Sequence, residues 1–350
     1  MSDFLQLHLL TAYGPSNLNR DDTGRPKSVL FGGAPRLRIS SQSLKRAWRT
    51  SDVFRGKLDG HLADRTQRLG EDVRQRLVEG GMNEEEALAA ARKIANVFGK
   101  LRAETSPTPA FIEQLAFVSP EERAEAFALA DRALAGEELE APKPDDVLRR
   151  TDTAADIAMF GRMLADDPKF NREAAVQVAH AITTHRAVAE DDYYTAVDDL
   201  KSRNEPEDAG AGFVGVQEFG AGVFYLYLCV DRGLLLENLG GDRAVSDASV
   251  AALAEAAATV APRGKRASFA SHARAFYALA EKGAAQPRSL AAAFLKPVSG
   301  TDQGSASVAA LEKFRDRLDG AYGPCAADRR TMNAESGEGT LAELVDFALA

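Results

Sequence analysis

The sequence predicts an α+β fold, a sheet-forming part interrupted by an acidic helical insertion. Three observations point there. Strand patterns open the chain and return at 176–184 and at 222–230. Between them, from about Leu58 to Ala135, apolar residues keep helical spacing behind recognisable helix caps. No internal repeat of fixed period joins the parts, so a solenoid or propeller is not expected.

Taken in order, Leu5, Leu7 and Leu9 alternate with Gln6 and His8, the pattern of a half-buried strand. A loop rich in Pro, Ser, Asn and Gly covers Gly14 to Gly24, and Gly32-Gly33-Ala34-Pro35 forms a turn after the short apolar run Ser28 to Phe31. Arg36, Arg38 and Ser40 then alternate with Leu37 and Ile39, which places the polar set on one sheet face. Ser40 and Ser41 are N-caps for a helix through Leu44, Ala47 and Trp48. In the insertion, Asn83 caps Glu84-Glu85-Glu86, and Ser119-Pro120-Glu121-Glu122 combines a cap, a proline and first-turn acids. Glu137 to Asp146 reads as a surface linker. Val176 to Thr184 and Gly222 to Val230 read as strands, with a polar stretch from Glu190 to Gly212 between them. A helix is expected over Ser246–Val260 and another over Leu341–Ala350, while Phe269 to Leu279 fits strand or helix equally.

At 350 residues, length alone allows about two domains of roughly 150 residues. An apolar fraction of 45% with 27% charged residues excludes a chain disordered throughout. The longest unbroken apolar stretch, Val223 to Val230, is too short to cross a bilayer. Met1-Ser2-Asp3-Phe4 lacks the basic start of a secretory signal. Cys229 and Cys325 cannot frame a zinc ribbon and read as reduced thiols, so a cytoplasmic location is expected. No cofactor motif stands out: no Walker lysine follows Gly32-Gly33, no GxGxxG follows a strand, and His180 and His185 point to opposite sides of one strand.

Charge is the informative quantity. The whole chain carries −9, yet Asn17 to Thr50 holds eight basic residues against Asp21 and Asp22, a net +6, leaving −15 on the other 316 residues. A cationic strip on an acidic body suggests a polyanion site. Within it, a strand with a basic face runs into a helix N-terminus, where first-turn N–H groups favour phosphate. Ser40, Ser41, Gln42 and Ser43 add donors, and Lys45 and Arg49 share a helix face, with Arg46 to the side. The bland reading is a capped helix with a solvated basic face. Arg20 in the loop could hold a phosphate, or Asp21 and Asp22 could bind Mg²⁺ and support cleavage; an Arg–Asp pair that stiffens the loop is the plain alternative. Tyr193-Tyr194 stands in a segment too polar for a core, suited to stacking on bases or to anchoring a hairpin.

Nine blocks occur in one order: Ser16-Asn-Leu-Asn-Arg-Asp-Asp22, Phe31-Gly-Gly33, Arg38-Ile-Ser-Ser-Gln-Ser-Leu-Lys-Arg-Ala47, Gly161-Arg-Met163, Ala179-His-Ala-Ile-Thr-Thr-His185, Thr195-Ala-Val-Asp-Asp-Leu200, Gln217-Glu-Phe219, Gly222-Val-Phe-Tyr225 and Glu237-Asn-Leu-Gly-Gly241. In these blocks the chain closely resembles the CasC family, the guide-RNA-binding backbone subunit of the type I-E CRISPR Cascade complex. The likeness is weakest over roughly 58–150 and the last 90 residues. It implies an RRM-like (ferredoxin-like) palm built from 1–57, 173–187 and 219–350, helical fingers over 58–172 and a thumb hairpin over 188–218. It further implies a non-catalytic subunit without cofactor or metal, acting in antiviral defence. Its implied partners are CRISPR RNA, the target DNA strand, head-to-tail copies of itself, and the large, small, five-prime-handle and RNA-processing subunits of Cascade, with no membrane. By matched position, Arg20, Lys27, Ser40, Gln42, Lys45 and Arg49 would grip the RNA backbone. Met163 would pack against kinked RNA, and Tyr193, Tyr194 and Thr195 would lie beside a flipped base. The chain departs from the pattern at Ala34 and Pro35, where some relatives are basic. It has a Tyr-Tyr thumb pair, and only Lys143, Arg149 and Arg150 as basic residues over 133–155.

Overall fold

The computed structural model describes residues 3–164, 166–196 and 213–350. The strands are β1 (Phe4–Ser16), β2 (Ser28–Phe31), β3 (Ala34–Ile39), β4 (Asp64–Thr66), β5 (Ala116–Val118) and β6 (Val176–Val178). They continue with β7 (Ala181–Thr183), β8 (Glu190–Ala196), β9 (Phe213–Asp231), β10 (Ala275–Gly283) and β11 (Asp328–Asn333). The helices are α1 (Ser41–Arg49), α2 (Asp52–Lys57), α3 (Leu69–Glu79), α4 (Glu84–Ala95), α5 (Pro120–Leu134) and α6 (Pro144–Val147). Then follow α7 (Ala155–Phe160), α8 (Arg232–Asn238), α9 (Arg243–Thr259), α10 (Arg266–Phe269), α11 (Gln303–Tyr322) and α12 (Leu341–Leu349).

The fold is α+β. One antiparallel sheet runs β11-β10-β1-β9-β7-β3-β2, with β6 and β8 also paired to β9; β4 and β5 form a separate two-stranded sheet. The stretch expected as one strand over 176–184 is two short ones, β6 and β7, both laid along β9. The ambiguous run near Phe269 resolves into a short helix and then strand β10.

β1 corrects the expectation of a half-buried strand. Leu5, Leu7 and Leu9 enter a core with α9 and α12, as alternation requires. The opposite face, with Gln6, His8 and Leu10, is buried too, because α11 and the segment near 288–294 cover it. Its polar groups are satisfied. The Leu290 N–H donates to the Tyr225 hydroxyl at 3.0 Å, which lies 2.9 Å from His8 Nδ1, while His8 Nε2 faces Glu281 at 3.3 Å. Arg329 also donates to Glu281 at 2.6 Å, and Arg288 pairs with it. Alternation identifies which residues share a face; it does not say whether a distant helix will cover that face.

The helical lobe has its own core from Leu69 to Phe170, built by α3, α4 and α5. Both predicted caps form: Asn83 accepts from the Glu86 N–H at 3.0 Å, and Ser119 and Glu122 make a capping box. Each is worth about 1 kcal/mol. Glu122 does more than cap. Buried, it also accepts from Arg162 Nη1 at 2.6 and 2.8 Å and from the Arg149 N–H at 2.9 Å. Arg162 and Arg172 both donate to the Arg149 carbonyl, and Arg172 pairs with buried Asp152 and reaches the Asn238 carbonyl. Arg172 thereby ties the lobe to α8 beside the sheet, whereas the side-chain bonds of Arg162 stay within the lobe.

Candidate nucleic-acid interface

The strand–turn–helix from β3 into α1 is the centre of the site. β3 lies between β2 and β7, so its backbone is paired on both edges. The expectation that Arg36 joins Arg38 on an open polar face is corrected. Arg36 is fully buried, donating to the carbonyls of Thr183 at 2.9 Å and Phe294 at 2.8 Å, with the Phe31 ring 5.9 Å away. Burial lowers its affinity for a proton. It is an internal strut, and the cationic strip is one charge poorer than its composition suggests. Arg38 is half-buried, 2.7 Å from His180 Nδ1. At the β3–α1 junction Ser40 is buried and caps α1, accepting from the Ser43 N–H, while its own N–H donates to Asn19 Oδ1 at 2.8 Å.

Helical spacing then turns Gln42, Lys45 and Arg49 to one side. There they line a groove of about 690 Å³ between α1 and the helical lobe. Its other walls are Arg46, Arg55, Arg65, Leu115, Phe117 and Phe160. Lys45 lies 5.5 Å from the Phe160 ring, and burial pushes its ammonium below the ordinary value. Arg49 stands 4.5 Å over Phe117 and donates Nε to Asp156 Oδ2 at 2.6 Å and Nη2 to the Ala63 carbonyl at 3.2 Å. Arg65 is 5.7 Å from the same Phe117 ring. Asp64, also in the wall, is engaged by Arg123 at 2.9 Å. Five cations and two aromatic rings therefore converge on one open groove, suited to phosphates with partial desolvation.

A second hollow of about 480 Å³ lies on the other side of α1, sharing Asn19, Ser43 and Arg46 with the first. Arg20, Asp21, Asp22 and Arg263 complete it. Arg20 is exposed. Asp21 is committed to its own loop: Oδ1 accepts from the Thr23 N–H, the Thr23 hydroxyl and the Arg25 N–H at 2.8–2.9 Å. The Thr23 hydroxyl first, then these N–H groups, hold its carboxyl below the ordinary value. Arg25 pairs with Glu218 at 2.5 Å, and Lys27 contributes backbone bonds to Asn19 and Arg38 while its side chain stays half-exposed. Among the described residues no cluster of three or more His, Cys, Asp or Glu is arranged to hold a metal ion.

Sequence reading missed Arg55, Arg65 and Arg263, and the rings of Phe117 and Phe160. Arg263 was within reach: Pro262-Arg-Gly-Lys-Arg266 is a basic run, and Gly264 there packs so tightly on the Leu18 carbonyl that an added Cβ would lie 2.2 Å from it. Only glycine fits that approach.

Met163 is 82% exposed at the rim of the helical lobe, in a cleft that shares Leu115 with the main groove. Tyr193, Tyr194 and Thr195 are exposed on β8, opposite Val216, Gly215 and Val214 of β9. Gly215 leaves room for the Tyr194 ring, whose Cζ would sit 2.6 Å from a Cβ there. Residues 197–200 of the block that begins at Thr195, and 201–212 of the expected thumb, lie outside the described residues. Asn17 Nδ2 ties the basic loop to the base of this hairpin, donating to the carbonyls of Gly24 and Glu218. Of the basic residues over 133–155, Arg149 pairs with Glu125 and Arg150 lies 6.0 Å from the Phe170 ring.

The model of the CT1975-like protein family matches residues 5–348. The chain belongs to the CT1975-like protein family. Among curated proteins none matches. Of solved structures, this CT1975-like chain superposes on one described as a "CRISPR RNA-guided surveillance complex, pre-nicking" with a TM-score of 0.86 and 30% identity, covering 99% of each chain. A second, a "CRISPR RNA-guided surveillance complex", gives a TM-score of 0.60 and 26% identity over 99% of this chain and 93% of that one. Among its described residues, no helix is long and apolar enough to cross a membrane.

Proposed function

We propose that this CT1975-like protein is a non-catalytic subunit of a Cascade-type CRISPR surveillance complex. In this reading it is a CRISPR RNA-binding backbone subunit of type I-E, polymerising head-to-tail along the guide in the cytoplasm. The sheet body is then the RRM-like palm, the helical lobe the fingers, and β8 with the start of β9 the thumb. The carrying observation is the groove beside α1, where Lys45, Arg46, Arg49, Arg55 and Arg65 converge on a chain whose net charge is −9. Likeness to solved surveillance-complex chains supports the same reading. Phosphates of the guide follow the groove over the N-terminus of α1 towards Arg20. Met163 and the hairpin tyrosines offer apolar surface at two places where bases can be unstacked. Guide bases presented in this way pair with the target DNA strand, and the other Cascade subunits complete the assembly.

The test is coexpression with a CRISPR RNA, followed by sizing and extraction of bound RNA. We expect a ribonucleoprotein larger than the single chain, with little base preference. A preparation free of nucleic acid, of single-chain size, overturns the reading.

A second reading, a metal-dependent ribonuclease, has one observation in its favour: Asp21 and Asp22 line the same hollow as Arg20, Arg46 and Arg263. The engagement of Asp21 Oδ1 by its own loop favours a structural task. Periodic cleavage of complementary RNA with Mg²⁺, abolished by Asp21→Ala or Asp22→Ala, would establish the ribonuclease instead.

A further inference from the structure

Asp156 has no part in the sequence-based site, yet it lies directly behind the groove wall. Its side chain is 1% exposed, against 15% for Arg49. Oδ2 accepts from Arg49 Nε at 2.6 Å. Oδ1 accepts from the N–H groups of Ala63 at 2.8 Å and Ile157 at 3.1 Å. Arg49 in turn donates Nη2 to the carbonyl of the same Ala63. The pair therefore brackets both backbone groups of one residue, immediately before β4 of the helical lobe. A buried carboxylate at this distance cancels most of the guanidinium's charge at the groove. Lys45, four residues earlier on the same face, has no carboxylate partner among the described residues.

Resting on the RNA-binding reading, we propose that Asp156 is a positioning residue acting through Arg49. It spends the guanidinium's charge internally and pins the lobe to α1, so that Lys45 and its exposed neighbours, not Arg49, carry the phosphate grip.

The salt dependence of RNA binding separates this from a purely structural role, because it counts net phosphate neutralisation. For single strands the log–log slope changes by about 0.7 per cation. The measurement uses the full chain and a single-stranded RNA oligonucleotide. Asp156→Asn, which releases the Arg49 charge, is expected to steepen the slope by about 0.7. The double variant Arg49→Gln/Asp156→Asn, whose amides can bond each other, is expected to return the slope to the wild-type value. If Arg49 itself grips phosphate and Asp156 only supports the fold, the single variant leaves the slope unchanged and the double flattens it by about 0.7; either result overturns the inference. If the single variant does not fold, the double variant decides alone. Lys45→Gln is the control for the parent reading. It should flatten the slope by about 0.7 whatever Asp156 does, and wild-type protein that does not bind RNA overturns the parent reading instead.

Discussion

In the groove beside α1, each central cation rests on something: Lys45 on Phe160, Arg49 on Asp156 and Phe117, Arg65 on Phe117. In the hairpin, Tyr193, Val214 and Val216 share one face and Tyr194 and Phe213 the other, and all five are exposed. Tyr194 and Phe213 lean on each other at 6.1 Å between ring centres. A two-stranded ribbon with apolar groups on both faces is marginal by itself. The groove side chains are held by partners within the protein, whereas the hairpin's apolar side chains are left exposed. Groove substitutions should therefore act on the protein and on binding together, and hairpin substitutions on binding with little change in melting.

The largest break in that contrast should come from within the cationic strip. Arg36→Ala opens a cavity and strands two carbonyls, so an unfolding loss of about 3 kcal/mol or more is expected by denaturant titration. Arg36→Met, which fills the space, should recover part of it. Acid comes next. Burial holds His8 below its ordinary value of 6.5, so it is neutral when folded and takes a proton on unfolding. Burial alone would raise the Glu281 carboxyl, but bonds from His8 and Arg288 outweigh it and hold Glu281 below its ordinary 4.5. Stability is thus expected to be full above about pH 6.5. Below it stability is expected to fall, through His8 by up to about 1.4 kcal/mol per pH unit, and Glu281 adds a loss of its own below about 4.5. A melting temperature flat from pH 7 to 4 would contradict the assignment. Third, Tyr193→Ala/Tyr194→Ala should weaken RNA retention by about 1–3 kcal/mol for each stacked base lost, with melting altered by no more than about 0.5 kcal/mol. A large melting loss would mean that the hairpin stabilises the chain by itself. The smallest effect is expected at Gly215→Ala: melting within about 0.5 kcal/mol, with the Tyr194 ring displaced and its chemical shifts moved in an NMR spectrum.

Local features of the sequence translated well. Ser40, Asn83 and Ser119 cap helices where their spacing says they should, because a cap needs only three neighbouring residues. The shared side of Gln42, Lys45 and Arg49 follows from helix geometry alone. What alternation could not reveal was coverage. Arg36 is bonded to Phe294, 258 residues away, and Arg49 to Asp156, 107 residues away. The long helix α11 also escaped notice: its buried positions are only Ser307, Val308 and Leu311, too thin a stripe to read against its many charges.

The 19 residues of β9 begin in the hairpin and end in the middle of the sheet, between β1 and the pair β6 and β7. At about 3.3 Å per residue the strand is a beam of roughly 60 Å, cantilevered from the body. Its pleat keeps one phase along most of that length, so the side of the tip on which Tyr193 emerges is keyed to the side of the sheet on which Tyr225 is buried. Adding or deleting one residue near Gly220 would invert that correspondence. Evolution or an engineer can lengthen this arm only in pairs of residues if its tip is to keep facing the same way.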